Sequence, residues 1–118
     1  MDDGRPIFAQ IAEQLEGRII DGSLPEAEQV PSINELAKFY RINPATALKG
    51  INVLVDQGVL YKQRGIGMFV ADGARALLLA RRRADFQAQY VAALVSEARR
   101  LGMSAAEIID MLTRESGR

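Results

Sequence analysis

The chain has 118 residues, enough for one domain or one domain with an appendage. Apolar residues make up 48% and charged residues 25%, the balance of an ordinary globular fold. Cysteine and histidine are both absent, which removes disulfides, thiolate chemistry, the usual zinc sites and Ser-His or Cys-His catalysis. No paired-acid motif stands out, so no enzyme, metal or cofactor is expected. The longest apolar run, ALLLA at 76–80, is far too short to span a bilayer. The opening MDDGRP is acidic and lacks the apolar segment of a secretory signal. A cytoplasmic protein with no membrane partner is expected.

Fifteen basic residues balance fifteen acidic ones, but unevenly along the chain. Met1 to Gly73 carries seven basic residues against ten acidic, a net charge of −3. From Ala74 onward eight face five, a net charge of +3. If the front part binds nucleic acid, it does so with a small, well-placed basic set, and weak non-specific affinity follows.

From Pro6 to roughly Asp21, Ile7, Ile11, Leu15 and Ile19 recur every four residues, a helical stripe widened by Phe8, Ala12 and Ile20. Asp21-Gly22 is a good stop. Ser23 to Val30 reads as a loop carrying Pro25. Ser32 then opens a second helix, with Glu35 three residues on completing a capping box. Ile33, Leu36, Ala37 and Tyr40 supply its buried side, and Ile42 plugs the turn that follows. Asn43-Pro44 marks the next start, since Asn caps well and Pro suits the first helical position. This third helix runs to about Asp56 or Gln57 and stops at Gly58. Ala47, Ile51, Leu54 and Val55 belong to its core face. Ala45, Thr46, Lys49 and Val53 lie along another face with nothing reserved to cover them.

Val59-Leu60-Tyr61 and Met68-Phe69-Val70 are β-prone runs around Lys62-Gln63-Arg64-Gly65-Ile66-Gly67. Glycines at 65 and 67 allow a tight turn, and Lys62 and Arg64 flank it. Short helix, turn, longer helix and two-stranded wing make a winged helix-turn-helix, a module that sets one helix into the major groove. The remainder is helical. Ala74 to about Leu101 carries the stripe Ala80, Ala84, Ala88, Val91, Val95 and Ala98, widened by Phe86, Tyr90 and Leu94. Gly102 ends it, and Ser104 with Glu107 caps a last helix through Leu112. Two helices with such broad apolar faces cannot bury them on each other alone, and a second subunit is the natural cover.

These motifs resemble the GntR family of bacterial transcription regulators, and most of all its short YtrA-type branch. PSINELA, the INPAT opening of the third helix and RGIGMFV follow the family pattern in order and spacing over roughly Pro6 to Val70. The resemblance implies a homodimeric repressor on an inverted-repeat operator, with no room for the large effector domain of many relatives. Many members carry Arg where this chain has Asn34, and Arg or Lys where it has Leu48. Asn34 retains the means to hydrogen-bond a base edge or phosphate.

The expected fold is therefore mostly α with a small β-wing: a winged helix-turn-helix over 1–72 and a two-helix dimerisation arm over 73–118. The expected DNA-binding residues are Ser32, Asn34, Asn43, Ala45, Thr46, Lys49, Lys62, Arg64, Gly65 and Gly67. The expected dimer interface is Leu79, Phe86, Tyr90, Val91, Leu94, Val95, Ile108 and Leu112. Partners are double-stranded operator DNA, a second copy and a small-molecule effector. Two other classes compete: a winged helix turned to protein binding, and an effector-sensing dimer with weak intrinsic DNA affinity.

Overall fold

Local capping chemistry decides where the helices begin. In the computed structural model, which describes residues 4–117, the elements in order are α1 (Ile7–Asp21), α2 (Ile33–Tyr40), α3 (Pro44–Asp56), β1 (Leu60–Gln63), β2 (Gly67–Val70), α4 (Ala74–Phe86), a π-helical turn at Gln87–Val91, α5 (Ala92–Arg100) and α6 (Ala105–Ser116). Ser32 and Glu35 form the expected reciprocal capping box on α2, and Ser104 with Glu107 repeats it on α6. Asn43 accepts from the Ala45 N–H at 2.8 Å and Pro44 takes the first helical position of α3. Gly22, at φ 88°, closes α1 in the left-handed region. The chain forms two compact units that divide between Ala80 and Arg81.

The first unit has one continuous apolar core. Ile11, Leu15 and Ile19 of α1 meet Leu36 of α2, Ile51 and Leu54 of α3, and Val59, Leu60 and Val70 around the wing. Ala74 and Leu78 of α4 are buried in the same cluster, and Ile42 packs against it from the turn as expected. Gly50 is buried inside α3, where a Cβ would lie 2.9 Å from the Phe8 carbonyl oxygen. A helix-interior glycine costs intrinsic helix stability, and here it admits the close approach of α1 to α3.

Three features differ from the reading of the sequence alone. Val53 is half-buried and packs against the core, so it does not belong to the uncovered face of α3. β1 begins one residue and ends two residues later than its β-prone run, leaving Val59 just before it, and β2 begins one residue earlier than its run; the pairing goes from Leu60 with Val70 to Gln63 with Gly67. The expected loop also carries paired backbone. Val30 N–H donates to the Met68 carbonyl at 2.8 Å, Val70 N–H to Glu28 at 3.0 Å, and Ala27 N–H to Val70 at 2.9 Å. Residues 27–30 thus lie along β2 as a short antiparallel strip and satisfy an edge that would otherwise be open.

In the second unit the helical residues run on through the π-helical turn into α5, and Gly102 (φ 68°) precedes α6. Among its described residues, Ala98 is the only buried apolar one. Among the described residues no helix is long and apolar enough to cross a membrane, and no acidic cluster could hold a metal ion.

Candidate nucleic-acid interface

At 3.6 residues per turn, the buried stripe of α3 (Ala47, Gly50, Ile51, Leu54) leaves an opposite face of Ala45, Leu48, Lys49, Asn52 and Asp56. All five are exposed, while Thr46 is half-buried at the edge of the stripe. Lys49 leans toward α1, with its ammonium 4.2 Å from the centroid of the Phe8 ring. Such an exposed cation–π contact is worth about 0.5–1 kcal/mol and fixes where the charge stands. Asn52 was not singled out from the sequence, although it falls on the same face two turns after Ala45. Its amide carries both donors and an acceptor.

The start of α2 adds a hydroxyl. Ser32 Oγ accepts from the Glu35 N–H at 3.1 Å, and the Glu35 carboxylate accepts from the Ser32 N–H at 3.0 Å. Donation from the Ser32 N–H, and then from its hydroxyl, holds the Glu35 carboxyl below the usual glutamate range, the backbone bond contributing most. A phosphate contact would draw that hydroxyl proton away from Glu35. Asn34 stands exposed in the first turn of the same helix.

The wing supplies the third part. Lys62 pairs across the ladder with Met68, and Arg64, Gly65 and Ile66 form the turn. Gly65 has φ 78° and Gly67 has φ 149°, and a Cβ on Gly67 would come within 2.6 Å of Gln29 Nε2. That amide nitrogen donates to the Ile66 carbonyl at 3.1 Å, tying the wing tip to the strip at 27–30. The backbone at φ 149° favours glycine at 67, while a Cβ there would displace only the flexible end of Gln29. A cleft of about 260 Å3 opens between these parts, lined by Ser32, Lys62 and Gly67 together with Leu48 and Ile66. Three of the expected DNA-binding residues thus meet around one opening. Asn34, Asn43, Ala45, Thr46 and Lys49 lie along α2 and α3 outside it, and Arg64 with Gly65 stands at the exposed wing tip.

Of the residues expected to meet a second copy, Leu79 is half-buried in the first unit. Phe86 and Tyr90 are exposed in the second, their ring centroids 5.5 Å apart, and Val91, Leu94, Val95 and Leu112 are exposed as well. Ile108 is half-buried beside an apolar groove of about 440 Å3 between α5 and α6, which Leu94, Leu101, Met111 and Leu112 also line.

The first unit is also the part of the chain that a family model matches. Residues 8–70 match the family described as bacterial regulatory proteins, gntR family. The HTH-type transcriptional repressor YtrA of Bacillus subtilis is 30% identical over 74 residues, which cover 63% of this chain and 57% of YtrA. The chain thus spans little more than half the length of that relative. A crystal structure of a GntR-family protein from Bacteroides thetaiotaomicron is 33% identical and superposes with a TM-score of 0.80 over 95% of this chain and 97% of the other. The DNA-binding domain of AraR, solved in complex with operator ORX1, is 34% identical with a TM-score of 0.56, covering 60% of this chain and 86% of that one. A winged helix-turn-helix matched along its whole length, with the glycine-bearing wing in place, belongs to one family: the chain is a member of the gntR family of bacterial regulatory proteins.

Proposed function

We propose that the chain is a DNA-binding transcriptional repressor that acts as a homodimer on an inverted-repeat operator. One observation carries the reading. Ser32, Lys62 and Gly67, from three separate elements, converge on one cleft beside the exposed face of α3. A phosphate backbone needs such a hydroxyl, cation and close-approach glycine, while the helix face is free to reach base edges. Asn34, Asn43, Ala45, Thr46, Lys49, Arg64 and Gly65 extend this surface on either side. The second unit supports the dimer. Its exposed Phe86, Tyr90, Leu101, Ile109, Met111 and Leu112 form far more apolar surface than a small helical unit leaves to water. A second copy of the same face is the self-complementary cover.

The test is selection of bound duplexes from a randomised library with purified protein at moderate salt, alongside sedimentation to measure mass. An enriched inverted repeat bound by a dimer is the expected result. A folded dimer that enriches no duplex would move the assignment to protein binding, as would an affinity insensitive to salt. Phosphate contacts make log K fall linearly with log salt, and a protein–protein surface of this kind does not.

A further inference from the structure

We propose that Ile66 is a specificity-determining residue: it enters the DNA minor groove and admits A·T pairs while rejecting G·C pairs through the guanine 2-amino group. The inference rests on the reading of the chain as a DNA-binding protein and adds how its wing selects sequence. Ile66 is 58% exposed, although it is one of the larger apolar side chains of the first unit. Its neighbours on both sides are glycines, so it is the single side chain on that part of the tip. Both of its backbone groups are engaged. Its N–H donates to the Gln63 carbonyl at 3.0 Å, and its carbonyl accepts from Gln29 at 3.1 Å. What Ile66 offers a partner is therefore a branched hydrocarbon on a fixed, narrow ridge, with exposed Lys62 and Arg64 nearby for the phosphates.

The minor groove is about 6 Å wide and suits such a ridge, whereas the major groove is wide enough for a helix. Its floor shows only acceptors at A·T and T·A pairs, and a G·C pair adds the guanine 2-amino donor. That amino group projects toward the entering side chain. Isoleucine has no atom to accept from it, so contact leaves a desolvated donor without a partner.

The experiment uses the full chain and an operator duplex from the library selection, with affinity measured by fluorescence anisotropy for each base-pair replacement. At the pairs beneath the wing, A·T to G·C is expected to weaken binding by about tenfold, the scale of one mismatched pair. Inosine·C, which keeps the major-groove face of G·C but lacks the 2-amino group, should restore binding to within about threefold. 2,6-Diaminopurine·T, which adds that group to an A·T pair, should weaken it by about tenfold. Ile66→Ala, at an exposed turn position, should still bind and should lose both discriminations. Inosine·C binding as poorly as G·C at every position would overturn the inference while leaving the DNA-binding reading intact. Ile66→Ala with undiminished discrimination would do the same. Failure to select any duplex would overturn both.

Discussion

The two units spend their apolar residues in opposite ways. The first seals Ile11, Leu15, Ile51 and Leu54 completely, each at zero exposure, from elements far apart in the sequence. The second buries Ala98 and leaves Leu101 at 66%, Tyr90 at 63% and Ile109 at 62% exposed. The first is thus a self-sufficient fold whose exposed polar groups are free for recognition. The second is amphipathic secondary structure whose stability depends on whatever covers it. In the proposed dimer, recognition and association are divided between the units by where the apolar surface goes.

The sharpest way to break this contrast is to truncate one leucine in each unit. Leu54→Ala is expected to destabilise the chain by about 2–5 kcal/mol, because it leaves a cavity in a closed core. Leu112→Ala should change unfolding of dilute protein by no more than about 0.5 kcal/mol, while weakening self-association. Denaturant titrations at two protein concentrations separate the two effects. Equal losses for both variants in dilute protein would show that the second unit has a core of its own.

Gly50→Ala comes next. A methyl group 2.9 Å from the Phe8 carbonyl forces α1 and α3 apart, and a loss of about 1–3 kcal/mol is expected. The same change at the half-buried Gly17 of α1, where a Cβ meets nothing within 4 Å, should instead stabilise by about 0.5–1 kcal/mol. Thermal melts of the pair isolate packing from helix propensity. A smaller gain is expected from Ala27→Gly and Arg41→Gly, since these residues hold φ at 69° and 56°. Relief of the left-handed strain, less the added freedom of the unfolded chain, should raise stability by no more than about 0.5 kcal/mol.

The smallest effect is electrostatic and touches both units alike. Glu35 and Glu107 sit below their ordinary range because each accepts from its N-cap residue, Ser32 or Ser104. A depressed folded value stabilises above the unfolded value and is lost as pH falls through the folded one. Helix content should therefore decline as pH drops below the ordinary glutamate range of about 4.3. Glu35→Gln and Glu107→Gln should flatten that decline in circular dichroism, and an unchanged slope would mean that other carboxylates govern it.

How much of this could be read from the sequence follows the distance over which each interaction acts. The caps at Ser32, Asn43 and Ser104 were legible because each bonds within three residues. The wing was legible from its glycines and flanking strands. The pairing of residues 27–30 with β2 was not, since the partners lie about forty positions away and Pro25 disguises the strip as loop. Nor was the seat of Lys49 on Phe8, where a helix–helix contact decides the direction of a side chain that periodicity leaves free. The burial of Val53 was missed for the same reason. Asn52 is different: helical geometry alone places it on the exposed face of α3, one position before the half-buried Val53.

The strip along β2 also bears on how an operator can vary. A hairpin joined to the rest of a domain only at its base swings, and can follow a contact point that shifts along the duplex. This one is laced to residues 27–30 by backbone bonds and held at its tip by Gln29. In the proposed DNA complex, the spacing between what α3 touches and what the wing touches is then a fixed length, like the gap of a caliper. One base pair inserted within a half-site, between those two contacts, should abolish binding rather than relocate it. The tolerance of natural operators is expected between half-sites and not inside them.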